Sequence, residues 1–200
     1  LQDRLIKALG VNYLRAPEAE RQAILDGYLA DPAAPIRLLG LDLLQQQLAE
    51  GRAQPASVPD ATRERIRALL ADPVPAVQTA AIRTLSAFRA PEDGPRFLAL
   101  LDQTTQTPTR LALINGLGYV GDGTAVPALL ALMNGHDEAI MTETVTALGR
   151  LAERGVIDAE TSGRVADALL AAAANLTKYP VSFRERLVWA MSNLADPRFA

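Results

Sequence analysis

The stretch Ile36-Arg37-Leu38-Leu39-Gly40-Leu41-Asp42-Leu43-Leu44 recurs along the chain with its apolar pattern largely unchanged. If its first residue is position zero, then positions zero, four, five and eight are apolar in most copies. These positions fall on one face of an α-helix, so each copy is predicted to form an amphipathic helix with a buried stripe. The six copies begin at residues 1, 36, 77, 109, 140 and 183.

A second, shorter amphipathic helix is predicted before each copy except the first. The turns that join the two helices carry Asp31-Pro32 and Asp72-Pro73, and the chain after one copy reads Gly121-Asp122-Gly123. Asp caps a helix start, and Pro stops the preceding helix from continuing. We call the shorter helix of each repeat the A helix and the quoted one the B helix. The predicted A helices span residues 18–30, 59–71, 91–101, 124–133 and 159–176.

Helix pairs repeated at intervals of 31 to 43 residues predict an all-α fold of the solenoid type. The expected architecture is a right-handed α-α superhelix of antiparallel pairs, in which each repeat packs mainly on its neighbours. We expect a single array over residues 1–200. The first copy lacks an A helix and the corner at Asp196-Pro197 opens a further repeat, so we also expect the array to be a fragment of a longer chain.

The repeat resembles a known family. An Asp-Pro turn, a B helix that opens on Ile36-Arg37 and runs on to Leu-Gly as in Leu148-Gly149, and a Gly-Asp or Ala-Asp-Pro corner are similar to short bacterial HEAT-like repeats. These include the repeats of the phycobilisome-lyase type. The resemblance implies a HEAT/ARM-like α-solenoid. It also implies one alternative function, an accessory or bilin-lyase-like subunit that acts on or with a partner enzyme.

Composition excludes several classes of site. The chain has no cysteine, so disulfides, thiolate metal sites and cysteine nucleophiles are ruled out. Its 20 basic residues are scattered among 23 acidic ones, and the net charge is −3, so no nucleic-acid partner is expected. Because some HEAT-like enzymes bind DNA in a groove, nucleic-acid binding is kept as the second alternative function. No stretch approaches the roughly 18 apolar residues of a membrane span, so this segment is not expected to contact a membrane. The cellular compartment stays open.

Two motifs have a structural interpretation as well as a functional one. The glycines at 116, 118 and 121 satisfy the dinucleotide-binding pattern, but they lie at the end of a predicted helix and not after a strand. We therefore predict close helix packing and a helix end there. His136 precedes Asp137 and Glu138, which suggests metal binding; because acidic residues favour a helix N-terminus, we predict a helix start instead. No cofactor or metal is predicted.

The surface opposite the buried stripe is the candidate partner-binding site. Positions two, six and nine of each B helix are predicted to lie there, and they mix polar with apolar side chains. Trp189 has two interpretations, an exposed interface anchor or a residue that packs on a further repeat expected to follow this segment. The sequence therefore predicts a non-catalytic scaffold that binds protein partners through the concave B-helix face. The candidate residues are Leu38, Asp42, Arg83, Leu111, Asn115, Thr146, Glu185 and Trp189.

Overall fold

The computed structural model describes residues 2–135, 137–194 and 196–199, and helices are the only regular secondary structure in them. Six longer helices correspond to the predicted B helices: α1 (Gln2–Arg15), α3 (Ala34–Ala49), α5 (Pro75–Phe88), α7 (Thr107–Val120), α9 (Glu138–Glu153) and α11 (Val181–Asn193). The predicted A helices are α2 (Glu18–Leu29), α4 (Asp60–Ala68), α6 (Gly94–Gln103), α8 (Val126–Leu132) and α10 (Ala159–Ala173). Short 3₁₀ turns extend three of them, at Leu69–Ala71, Pro91–Asp93 and Gly123–Ala125, and a further one at Leu176–Lys178 follows α10 after two residues.

Five B helices begin two residues before the first residue of the stripe. Helix α3 begins at Ala34 and α7 at Thr107, and each has proline as its second residue, Pro35 and Pro108. Proline is tolerated in the first turn because its missing N–H would have no partner within the helix. The apolar stripe begins at position zero, so the pattern did not predict the two helical residues that precede it. Leu1, the predicted start of the first copy, lies outside the described residues.

The chain divides into two compact units, residues 1–88 and residues 89–200. In the first unit, α3 packs against α2 and α5. In the second unit, α9 packs between α7 and α11, and the A helices α6, α8 and α10 each pack against the B helix that follows. This neighbour-to-neighbour packing of helix pairs within each unit is the arrangement of an α-solenoid.

The buried stripe is confirmed in the inner copies. In the last copy it is confirmed at Phe183 and Leu187 but not at Val188, and in the first copy it is wrong at Leu5, which is 53% exposed. Position five is fully buried in four copies, at Leu41, Ile82, Ile114 and Val145. Its counterpart in the last copy, Val188, is 62% exposed. Helix α11 packs mainly against α9 and α10, whereas α9 is packed between two B helices, α7 and α11. Burial of the whole stripe therefore requires a neighbouring repeat on both sides.

The glycines between residues 116 and 121 serve helix packing and a helix end, as predicted. A Cβ on Gly118 would lie 3.0 Å from the Cα of Ala147, so this glycine permits the close approach of α7 and α9. Gly121 follows α7 and donates its N–H to the Leu117 carbonyl at 2.8 Å. Its backbone is extended, with φ −73° and ψ 173°, so the left-handed cap expected of a glycine corner is not formed. Glycine is still required, because a Cβ would lie 2.5 Å from the Leu117 oxygen.

Aspartates cap the helices that follow the corners. The Asp137 carboxylate accepts hydrogen bonds from the N–H groups of Ala139 and Ile140, which confirms the predicted start of α9. Asp158 accepts from Thr161 at the start of α10, and that bond lowers its pKa. His136 lies outside the described residues.

Asp137→Ala is expected to lower the free energy of unfolding by about 1 kcal/mol, because two N–H groups of α9 lose their acceptor. Thermal unfolding followed by circular dichroism measures the effect. Asp102→Ala is the matched control, since this exposed carboxylate lies near the end of α6, where a negative charge is unfavourable. Equal losses from both substitutions would contradict the capping role.

Candidate functional site

The exposed side of the B helices is defined by positions six and ten of the repeat. At about 100° per residue, position six lies almost opposite the centre of the stripe, position ten lies about 35° from that direction, and position nine about 65°. Position nine is buried at Gly118 and Gly149, whereas position ten is partly exposed at Tyr119 and Arg150. We call the exposed surface of α7, α9 and α11 the B-helix ridge. It consists of Leu111, Asn115, Tyr119, Glu143, Arg150, Glu185 and Trp189.

Three predicted site residues belong to the first unit. Leu38 is half-buried on α3, while Asp42 on α3 and Arg83 on α5 are exposed. Partial desolvation raises the pKa of Asp42, and the positive charge of Arg83 offsets part of that shift. Asp42 and Arg83 therefore form a pair of opposite charges on neighbouring B helices.

Five predicted site residues belong to the second unit, and four of them are at its surface. Leu111, Asn115 and Trp189 are partly exposed and Glu185 is exposed. Thr146 is the exception, since it is only 5% exposed. It lies on α9, which is packed between α7 and α11, and its short side chain donates its hydroxyl hydrogen to the Thr142 carbonyl at 2.8 Å. The prediction that Thr146 contributes to the surface is wrong.

Trp189 lies over a glycine of the preceding B helix. A Cβ on Gly149 would lie 2.5 Å from Cζ3 of Trp189 and 3.0 Å from the Cα of Ala190. Its indole is therefore seated on α9 while part of its surface remains open to solvent. Trp189 therefore packs on the preceding repeat, an arrangement that neither interpretation specified, and it is also a fixed aromatic group at the surface.

A chain of polar contacts joins α7 to α9 along the ridge. Asn115 donates its amide hydrogen to Oε1 of Glu143 at 2.6 Å, and the same oxygen lies 3.6 Å from Nη1 of Arg150. The Arg150 guanidinium carbon in turn lies 4.3 Å from the centre of the Tyr119 ring. These contacts hold the side chains of positions three, six and ten in fixed relation to one another.

Tyr119, Glu143 and Arg150 were absent from the predicted surface. The sequence contained the signal for two of them, because position ten is nearer than position nine to the direction opposite the stripe. The signal for Glu143 was weak, because position three lies only slightly nearer than position nine to that direction. Glu143 is partly exposed on α9, and its contact with Asn115 depends on how α7 and α9 are aligned.

The described residues hold no group of three or more metal-ligating side chains, counting His, Cys, Asp and Glu. No described helix is long and apolar enough to span a membrane.

Paired helices that pack on their sequence neighbours define the class as an α-helical repeat protein. Residues 94–192 match the family model described as HEAT repeats. These residues are therefore HEAT-like repeats. Solenoids of such repeats are in general non-catalytic scaffolds for protein interactions.

Among solved structures, the chain is similar to the crystal structure of an engineered protein. The two share 16% sequence identity with a TM-score of 0.66, and the match covers 96% of this chain and 90% of that one. At this identity the likeness concerns the fold. No curated protein matches the chain.

Proposed function

We propose that the chain is a non-enzymatic scaffold that binds a protein partner through the B-helix ridge. The observation that supports this proposal is the presence of two partly exposed aromatic side chains in one unit, Tyr119 on α7 and Trp189 on α11, the two helices that pack on either side of α9. Tyr, Trp and Arg are the residues most enriched among the energetic centres of protein interfaces. The ridge carries all three, since Arg150 lies against Tyr119.

The aromatic groups of the ridge are held in place before any partner binds. Trp189 is seated on Gly149, and Tyr119 lies under the guanidinium of Arg150. Charged and polar residues surround them, with Asn115, Glu143 and Glu185 at or near the surface. Apolar anchors within a polar rim are typical of interfaces that form between separately folded proteins.

Capture of partner proteins from an extract of the source cells tests the proposal. Tyr119→Ala and Glu185→Arg are expected to reduce capture of the same partner about tenfold or more, because the first removes an aromatic anchor and the second reverses a charge of the polar rim. Glu185 is exposed, so its reversal leaves the packing of α11 intact.

Leu170→Ala is the matched control. Leu170 is 36% exposed on α10, outside the ridge, so its loss removes surface-exposed apolar area without changing the proposed interface. Circular dichroism shows that each variant is folded. Undiminished capture by both ridge variants, or equal loss with Leu170→Ala, would sink the assignment of the ridge.

A further inference from the structure

Three arginines of the second unit lie at Tyr119 or beside it. Two contact its ring and the third contacts main-chain carbonyls that flank it. The guanidinium carbons of Arg150 and Arg89 lie 4.3 Å and 5.3 Å from the centre of its ring. Nη1 of Arg154 donates hydrogen bonds to the carbonyls of Gly118 at 3.2 Å and Gly121 at 2.9 Å. We call Arg89, Tyr119, Arg150 and Arg154 the Tyr119 cluster.

The positive charge of the cluster is only partly balanced. Glu143 lies near Arg150 but also accepts a hydrogen bond from Asn115. Asp122 interacts with Arg154, yet its Oδ1 accepts from the N–H and hydroxyl of Thr124. The pKa of Arg154 is lowered by burial and by the charge of Arg89, and Asp122 offsets only part of this.

One donor of Arg150 is unpaired in the described part of the chain but buried, so the accessible donors of the cluster are those of Arg89. Nη1 of Arg150 is buried and has no hydrogen-bond partner among the described residues, since its distance of 3.6 Å from Glu143 exceeds that of a hydrogen bond. Arg89 is exposed and contacts the face of Tyr119. A guanidinium stacked on a ring keeps its N–H edge available for a carboxylate.

We propose that the Tyr119 cluster binds carboxylate side chains of an acidic segment in the protein partner. This inference rests on the proposed function and specifies the chemistry of the partner. Arginine forms bidentate, charge-assisted hydrogen bonds with carboxylates, and the cluster presents several guanidiniums around one aromatic ring. The excess positive charge and the exposed N–H edge of Arg89 are what such an anion would satisfy.

A nucleic acid is a poorer match for the same surface. A phosphate backbone requires a continuous basic track, but Glu143 and Glu185 lie on the same ridge as the cluster. The chain as a whole also carries a net charge of −3. A short acidic peptide segment contacts the cluster without running along these carboxylates.

Fluorescence anisotropy with two labelled peptides tests this proposal on the full chain. One peptide alternates Glu with Gly, and the other replaces every Glu by Gln. We expect the Glu peptide to bind, to bind more weakly as salt is raised, and to bind at least about tenfold more tightly than the Gln peptide. Equal binding of the two peptides, or no binding of either, would overturn the carboxylate assignment.

The substitution Arg89→Gly tests whether Arg89 binds the peptide without destabilising the fold. Arg89 has φ 54°, a left-handed conformation that glycine adopts without strain, so this substitution is expected to leave the melting temperature unchanged or raised. Its affinity for the Glu peptide is expected to fall about tenfold. Arg164→Ala removes the same charge from an exposed site on α10 and is expected to change affinity less than about twofold. Unchanged affinity in Arg89→Gly would overturn the proposal.

Two further measurements distinguish this proposal from its alternatives. A single-stranded oligonucleotide that binds more tightly than the Glu peptide would overturn it in favour of nucleic acid. If capture of the native partner depends on Tyr119 and Glu185 but not on Arg89, the scaffold role stands and the carboxylate proposal fails.

Discussion

Gly149→Val is expected to lower the free energy of unfolding of the second unit by about 3 kcal/mol. The glycine faces α11, where a Cβ would lie 2.5 Å from Cζ3 of Trp189 and 3.0 Å from the Cα and Cβ of Ala190. A side chain can move away at modest cost, but the α11 backbone cannot move without shifting the whole helix. Inserting atoms into such a packed contact typically costs 1–3 kcal/mol, about 3 kcal/mol where the backbone itself must shift.

Urea unfolding followed by tryptophan fluorescence measures this effect. The chain has a single tryptophan, Trp189, which lies on Gly149 itself, so the signal reports on the altered contact. Gly163→Ala is the control, because Gly163 lies within α10 and an added Cβ meets nothing within 4 Å. This control is expected to raise stability by up to about 1 kcal/mol. A Gly149→Val protein as stable as the wild type would show that α9 and α11 can separate freely.

Asp72→Ala is expected to lower the free energy of unfolding of the first unit by about 3 kcal/mol. The Asp72 carboxylate binds Arg37 of the preceding repeat in a bidentate pair, with N···O distances of 2.7 Å and 3.0 Å. Their side chains are only 4% and 11% exposed. Removing one partner of a buried pair leaves the other charge uncompensated, which typically costs about 3–5 kcal/mol. The Asp31 and Pro32 carbonyls still accept from Arg37, which places the estimate at the lower end.

Asp31→Ala supplies the matched control in the neighbouring turn. Both aspartates accept a hydrogen bond from the N–H two residues later, at 2.8 Å for Asp31 and 2.9 Å for Asp72. Arg37, however, reaches the main-chain carbonyl of Asp31 and the carboxylate of Asp72. Asp31→Ala should therefore cost only about 1 kcal/mol, the contribution of the turn bond. Circular dichroism in urea measures both, and equal costs would contradict a stabilising role of the ion pair between repeats.

The period of the repeat could be predicted from sequence because burial along a helix follows local geometry. Leu41, Ile82, Ile114 and Val145 share one position of the pattern, and all four are fully buried. The same reasoning failed at Val188, since burial there depends on what lies beside the helix and not on the helix itself. The pattern identifies the face that is apolar, and the neighbouring element decides whether it is covered.

The candidate site was predicted less well than the fold because it depends on side chains from different helices. The helical period predicts that Asn115, Glu185 and Trp189 are at the surface. It would also have predicted Tyr119 and Arg150 if position ten had been chosen in place of position nine. Arg89 and Arg154 could not have been found in this way. They lie outside the repeat pattern and reach Tyr119 or its flanking carbonyls only through the folded chain.

The close approaches at Gly118 and Gly149 also affect how the ridge binds. Because backbone meets backbone or nearly so at both glycines, α7, α9 and α11 have little freedom to slide past one another. A surface that is rigid before association loses less conformational entropy when a ligand binds. The two glycines, which have no side chain to offer a partner, therefore contribute to affinity by preorganising the residues that do.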